Sequence, residues 1–511
     1  MVKRVTNISH LEQRFWEALP AGLSWTLLLV PLLLTPFLPL YVTYFVILFD
    51  LYWLFRSAKL SFYLVRTYKQ LERNLRLNWS KRLAQYPQAK EIYHVILQTT
   101  YQEEIEILRA SLRAIVSARY DLKKVIYVLA TEERDANALQ LAENLTKEFG
   151  HNFYRFITTV HPDAIPGEVA GRGSNMTWAA KELERELIQG LGLNPDKIII
   201  SALDADAKVH PDLLSALTEQ FLTAEQPHQA IYQFLPLYHN NIWEVPAAMR
   251  VVAIGCSFWM MIEMARPDRL RSFSCYAASF TALRKANYWA VDSIIEDGVQ
   301  YWRQYFACDG DFRTIPVRIP IYMDAVLGES YLGTYVNQYK QLKRWAWGAS
   351  DLAYVTPTFL RDRRIPVWNK SVQALRLLEG HLSWATAPLL LLASGWLPLL
   401  NRSFRETVIG HNLPYLTSAI LSLAMIGIGV SILISWRLQT MEKKSGRWGI
   451  KYYLVNIIQW ALLPLITVIF GALPAIESQT RLALGQKMGF VCTVKKRKLA
   501  ANRQPLSPLK V

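Results

Sequence analysis

Between residues 22 and 63 the chain is almost unbroken hydrocarbon and aromatic, broken by Pro31, Pro36 and Pro39. No other feature narrows the possible folds so far. A crossing helix needs about 20 apolar residues, and this stretch holds two candidates, residues 23–38 and 40–54, joined by a tight turn. A cleaved signal peptide is the rival reading. No small-residue cleavage site follows the first run, and a second apolar run does, so an anchoring hairpin is expected. Further apolar runs come only after residue 380, at 382–400, 413–436 and 453–473, each long enough to span. The 511 residues exceed what one core holds, roughly 250–300. The chain must therefore divide into membrane and non-membrane parts.

Charge sets the orientation. The segment 437–451 carries Arg437, Lys443, Lys444, Arg447 and Lys451 against the single acid Glu442. Residues 486–511 hold seven Lys or Arg and no acid. Basic flanks stay on the cytoplasmic side, which places these segments and Lys3/Arg4 there. Five crossings from a cytoplasmic N-terminus would leave the tail outside. Either the Pro464-containing run re-enters, or one run is not a span. Asp50 lies near the end of the second run, where a snorkelling or helix-pairing role is expected.

Composition limits the rest. Apolar residues are 52% and charged residues 19% of the chain. That excludes disorder and falls below the roughly 25% charge of an ordinary soluble enzyme. Lys plus Arg number 57 and Asp plus Glu 41, a net +16. Such an excess suits an anionic membrane face, nucleic acid or a phosphorylated ligand. The basic residues form no groove-reading motif, so no nucleic-acid partner is expected. Cys256, Cys275, Cys308 and Cys492 lack close spacing. Neither a zinc site nor a disulfide framework is encoded, and a reducing compartment fits.

Between about residues 90 and 347 short apolar runs alternate with helical patterns. Residues 92–98, 124–130, 153–160 and 198–203 read as strands, and 103–117, 136–148 and 175–187 as helices. Such alternation implies an α/β domain with a mostly parallel sheet covered on both faces. Ligands bind such sheets at the carboxyl ends of the strands.

Three acidic or basic groups stand at those places. The strand 198–203 runs into Asp204-Ala-Asp206, two carboxylates that extended chain would point the same way. The pair either turns the chain before His210-Pro211-Asp212 or holds a hard cation, Mg²⁺ or Mn²⁺, against a diphosphate. Glu296-Asp297 either caps the helix that follows or includes a general base. Gln341, Arg344 and Trp345 share a helix face. They read either as a surface amphipathic helix or as groups that hold a leaving diphosphate and a sugar ring.

Taken in order, these motifs resemble the membrane-embedded family 2 glycosyltransferases, the group of cellulose and hyaluronan synthases. The resemblance runs from the N-terminal hairpin through Thr99-Thr100-Tyr101-Gln-Glu-Glu104, Asp204-Ala-Asp206, Glu296-Asp297 and Gln341-x-x-Arg344-Trp345 to the membrane helices behind. It implies a GT-A-type nucleotide-diphospho-sugar transferase domain over residues 66–350. An N-terminal hairpin (1–65) would precede it, and an interfacial linker (351–380), membrane helices (381–475) and a basic cytoplasmic tail (476–511) would follow. It further implies an inverting transfer from a nucleotide-sugar, probably uridine-linked in that family, with a metal at Asp206 helped by Asp204. Asp297 would be the base, with Glu296 next to it. Thr100 and Tyr101 would sit by the nucleotide base, Arg172 by the diphosphate, and Gln341, Arg344 and Trp345 around diphosphate and acceptor.

Phe490-Val-Cys492-Thr493-Val-Lys495 is similar to the Phe-x-Val-Thr-x-Lys gating loop of cellulose synthases, so Thr493 and Lys495 would close over the donor; a basic lipid-contacting tail is the alternative. One departure stands out. Where the family has an acidic Asp-Asp-Gly-Ser-like turn, this chain has Thr131-Glu132-Glu133-Arg134-Asp135, with Glu132 or Glu133 as the substitute. The expectation is a processive polysaccharide synthase of the inner membrane, its catalytic domain cytoplasmic, acting on a glycan acceptor beside membrane lipid. The alternatives are single transfer onto a lipid-linked acceptor and a non-catalytic scaffold with a degenerate domain.

Overall fold

The structure, a computed structural model, describes residues 8–440, 450–486 and 488–489. The N-terminal apolar run forms α1 (His10–Leu34) and α2 (Pro39–Arg76). Ser9 starts α1 by accepting the Glu12 N–H at 3.1 Å, and Pro39 opens α2, where a missing N–H costs nothing. α2 has 38 residues and so extends about 57 Å, roughly twice a hydrocarbon core. The predicted end near residue 54 falls inside it. Arg56 and Lys59 end the apolar run without breaking the helix, because charged long side chains are good helix formers.

The middle of the chain is an eight-stranded sheet in the order β3-β2-β1-β4-β7-β6-β8-β5. Its strands are β1 (Tyr93–Thr99), β2 (Val125–Glu132), β3 (Arg155–His161), β4 (Ile198–Leu203), β5 (Lys208–Val209), β6 (Ala230–Leu237), β7 (Tyr276–Ser279) and β8 (Arg313–Tyr322). β1 to β4 pair in parallel, β7 runs antiparallel between β4 and β6, and β8 lies parallel to β6. This is the expected mostly parallel α/β sheet, with β7 as its antiparallel member between β4 and β6. The helices between the strands are α3 (Ile105–Val116), α4 (Ala138–Phe149), α5 (Arg172–Leu183), α6 (Leu213–Thr223), α7 (Ala247–Met264), α8 (Glu296–Ala307), α9 (Tyr331–Ala346) and α10 (Asp351–Arg361). One face of the sheet buries Leu108, Leu112, Leu145 and Leu217 of α3, α4 and α6. The other buries Met176 and Leu183 of α5, Trp302 of α8 and Phe359 of α10. A third cluster joins Leu64 and Leu71 of α2 to Leu235 and Leu237 of β6 and to α7, so the long helix anchors the sheet.

The chain ends in α11 (Val367–Ala393), α12 (Val408–Ala424), α13 (Ile426–Thr440), α14 (Ile450–Ile458) and α15 (Leu473–Ala483). Among the described residues five helices are long and apolar enough to cross a membrane, spanning His10–Leu34, Pro39–Arg76, Ala247–Met264, Val408–Gln439 and Leu454–Ala483. The set differs from expectation in one member. The run 382–400 belongs to a helix that starts at Val367 with charged turns. α7 enters instead, an apolar helix mostly buried against the sheet domain. Asp50 does not snorkel: it is fully buried and faces Ser394 at the end of α11, so helix pairing is its role.

Contacts fix where the ends of these helices lie. Asn401 donates to the Pro36 carbonyl at 2.9 Å, and so sits beside the α1–α2 turn. Ser57 donates to the Ala424 carbonyl at 3.1 Å, halfway along α2. From Gln459 onward the chain bonds toward the other end of the bundle and along α1 as far as its middle, where Ser24 donates to Gln479 at 2.7 Å and Trp25 to Thr480 at 3.0 Å. Arg250 of α7 donates to Gln459 at 2.9 Å, Lys343 of α9 pairs with Glu477 at 3.0 Å, and Arg14 of α1 donates to the Leu482 carbonyl at 3.1 Å.

Candidate active site

β1 and β4 are the neighbours at which the strand order reverses, and the site forms at their carboxyl ends. Gln98, the next-to-last residue of β1, pairs in register with Leu203. Its amide donates to the Asp204 carbonyl at 2.8 Å and the Ala205 carbonyl at 3.1 Å, and its oxygen accepts the Tyr127 hydroxyl at 2.6 Å. A buried core strand thereby fixes the backbone of the acidic turn. That turn overrides the extended spacing expected for Asp204 and Asp206. The Ala207 N–H bonds back to the Asp204 carbonyl at 3.0 Å, so the two carboxylates take different partners.

Asp204 accepts the Ser274 hydroxyl on Oδ2 at 2.8 Å and lies 3.3 Å from Arg172 Nε through Oδ1. Asp206, 4% exposed, accepts the Asp324 N–H on Oδ2 at 2.7 Å. Arg172 opens α5 and is buried. It donates to the Ser274 carbonyl at 2.8 Å and to Glu296 Oε1 at 3.1 Å. This approach depends on Gly173, where a Cβ would stand 2.3 Å from the Ala290 carbonyl oxygen and 2.9 Å from Glu296 Cβ. Burial works against the Arg172 charge, but Asp204 and then Glu296 overcome it and hold its pKa above the usual value.

Glu296 and Asp297 begin α8. Burial pushes the Glu296 carboxyl up to about 7; Arg172 pulls against this and Asp297 adds to it. Arg344 of α9 also attracts Glu296, so the basic motif acts on the acidic one electrostatically. Asp297 accepts the Gly298 N–H on Oδ1 at 2.9 Å and the Ser274 N–H on Oδ2 at 2.7 Å. Its carbonyl takes the Ser272 hydroxyl at 2.6 Å. The expected cap does not form: the N-cap position of α8 is Ile295 and no side chain caps the helix, so Asp297 lies inside its first turn.

The remaining predicted residues divide. Thr100 is buried, its N–H bonded to the Ala130 carbonyl at 3.0 Å and its hydroxyl without a partner among the described residues. Tyr101 lies under the Arg134 guanidinium, 4.0 Å from the ring centroid, and Arg134 also holds Glu132. Glu133 instead accepts the Asp163 N–H at 3.0 Å, so only Glu132 faces this corner with Tyr101. Gln341 is buried and accepts from Gln338 at 3.1 Å. Trp345 packs on the cluster that holds Leu64, Leu342 and Trp460. Thr493 and Lys495, with Phe490 and Cys492, lie outside the described residues.

Sequence reading missed Gln98, Ser274 and Asp324. Asp324 follows β8 as Asp204 follows β4, so the strand-end rule that found one could have found the other. Ser274 carried no such mark. It adopts φ +52°, a left-handed conformation uncommon outside glycine, and so turns its N–H to Asp297 and its hydroxyl to Asp204 together.

No group of three or more His, Cys, Asp or Glu side chains that could hold a metal occurs among the described residues. Asp204 and Asp206 still offer the hard oxygen donors that Mg²⁺ or Mn²⁺ takes alongside diphosphate oxygens.

No protein-family profile matches the chain, and no curated protein matches it. In overall shape it is similar to the mannosyltransferase PcManGT from Pyrobaculum calidifontis in complex with GDP-Man and Mn2+. That likeness has 13% identity over 80% of this chain and 97% of the other, with a TM-score of 0.39. It is also similar to S. aureus TarS 1–349 in complex with UDP-GlcNAc, at 13% identity over 77% and 93% and a TM-score of 0.36.

The raised Glu296 carboxyl has a consequence for stability. The folded state holds this proton more tightly than the unfolded chain, so its contribution is complete below about 4.5 and is lost as pH rises to about 7. In a thermal melt between pH 5 and 8, wild type should lose stability across that window. Glu296→Gln should lose less, and parallel curves would contradict this placement.

Proposed function

We propose that the protein is an inverting, metal-dependent glycosyltransferase of a membrane that takes a nucleotide-sugar donor and extends a polysaccharide. One observation carries the reading: Ser274 ties the strand-end carboxylate Asp204 to Asp297, so a donor-side acid and a base share one rigid loop.

In this reading Asp206, with Asp204, holds Mg²⁺ or Mn²⁺, which when bound neutralises charge on the donor diphosphate. Thr100, Tyr101 and Glu132 flank the nucleoside, a uridine in the preferred form. Arg344, which attracts Glu296, stabilises the departing diphosphate by charge-assisted hydrogen bonds. Arg172, engaged by Asp204, Glu296 and the Ser274 carbonyl, orients the two acids and can turn its remaining Nη2 to the diphosphate. Asp297, held by two backbone N–H groups, takes the proton of the acceptor hydroxyl as that oxygen attacks the anomeric carbon from the face opposite the diphosphate.

Removing a general base costs about 10²–10⁴-fold in rate. Asp297→Asn keeps the shape and most hydrogen bonds of the side chain, so donor affinity should stay near wild type while transfer falls by that factor. A folded Asp297→Asn enzyme with more than about a tenth of wild-type transfer would remove Asp297 from the mechanism.

The contacts support a four-crossing arrangement that resolves the conflict over the tail. α1, the first half of α2, the stretch from α11 to Asn401, and α12 with α13 would cross. The segment from Leu454 to Ala483 would lie toward the inner face, since Gln459 and Glu477 bond to α7 and α9, with its last helix alongside the first half of α1 from Arg14 to Trp25. Both ends and the catalytic domain then share the cytoplasmic side. α15 packs beside α9, which carries Gln341 and Arg344, so a growing glycan would pass from the site directly into the helix bundle. Cysteine labelling from the two sides should place Cys492 with the N-terminus and Glu406→Cys opposite. Labelling of both from the same side would overturn the arrangement.

A further inference from the structure

The residue that opens α10, Asp351, has no part in the chemistry described so far. A Cβ on Gly298 would stand 3.4 Å from Asp351 Oδ2, so this carboxylate packs against the backbone immediately after Asp297. Asp351 is 4% exposed, and its Oδ1 has no hydrogen-bond partner among the described residues. It does not cap α10, since no side chain does so. A buried carboxylate with an unmatched oxygen is costly, and a neutral side chain would fill the same space more cheaply.

Its charged surroundings are few. Arg271, at the start of the loop that carries Ser272 and Ser274, attracts it, and Asp297 on α8 repels it. From α11, His381 lies against Gly348, 3.3 Å from where a Cβ would stand, and interacts with the same Arg271. Burial, opposed by Arg271 and reinforced by Asp297, pushes the Asp351 carboxyl up to about 7.

We propose that Asp351 is a positioning residue for sugar transfer: its negative charge, set behind Gly298, favours delivery of the acceptor's proton to Asp297. This rests on Asp297 being the base. In that step the acceptor O–H bond breaks and its proton passes to the Asp297 carboxylate. The oxygen's electron pair forms the bond to the anomeric carbon, and the carbon–diphosphate bond breaks with its pair leaving on the diphosphate. Asp351 exchanges no proton with substrate. It acts only when ionised, so its help is absent in acid and present in base.

The experiment is single-turnover transfer from pH 5.5 to 8.5, using whichever donor the enzyme turns over from a panel of UDP- and GDP-linked sugars. A neighbouring charge changes proton affinity by about one to three decades, of which a transition state expresses part. The wild-type rate should therefore rise about tenfold through pH near 7. Asp351→Asn should equal wild type at pH 5.5, where both side chains are neutral, and lack the rise, with donor affinity unchanged. Asp351→Glu should retain the rise.

A wild-type profile without the inflection, an inflection that survives Asp351→Asn, or a variant equally slow at every pH would each overturn the proposal. If Asp351→Asn does not fold, Glu296→Gln decides: an inflection lost in that variant belongs to Glu296 and overturns the proposal, and one retained there supports it. Asp297→Asn in the same assay separates the two readings. Near-wild-type transfer by Asp297→Asn defeats the base assignment. An inactive Asp297→Asn beside an unchanged Asp351→Asn profile defeats only the role of Asp351.

Discussion

The site depends on one buried guanidinium. Arg172 binds Asp204, Glu296 and the Ser274 carbonyl at once, and these come from the end of β4, the start of α8 and the loop before β7. Without it, the buried Glu296 carboxylate would be left without its ion partner, a loss that is costly in so dry a place. Such a pairing adds little net stability, because desolvation offsets much of the attraction. Its effect is geometric: three segments far apart in sequence acquire one fixed arrangement. Ser274 then carries that arrangement to Asp297 through its own N–H.

The same economy governs the relation between sheet and membrane. α2 is too long to stay in a bilayer, and its second half becomes a wall of the sheet domain through Leu64, Tyr68 and Leu71. α9, which carries the basic motif, is held from behind by Glu477 through Tyr339 at 2.9 Å and Lys343 at 3.0 Å. The candidate site is therefore braced against the helix bundle.

Much of this was legible in the chain. β1 to β4 are nearly all apolar because both faces of a parallel sheet are covered, and period and flanking residues placed them within two residues. The acids after β4 and before α8 stood out because carboxylates rarely follow buried runs without a use. What stayed hidden depends on long-range contact. Nothing local tells that Gln98 would reach the turn at Asp204, or that Ser274 would accept a left-handed backbone to serve two acids. The turn at Asp204 was misjudged for a related reason, since spacing by two predicts a shared direction only while the chain stays extended. Ala247–Met264 escaped notice because a buried helix and a crossing helix share a composition, and only packing tells them apart.

The account stands on donor turnover. Membranes containing the protein should release nucleoside diphosphate from at least one of a panel of nucleotide-sugars, only with Mg²⁺ or Mn²⁺ present, and Asp206→Ala should abolish both release and metal-dependent donor binding. Absence of turnover with every donor, or release that persists without metal and in Asp206→Ala, would contradict it.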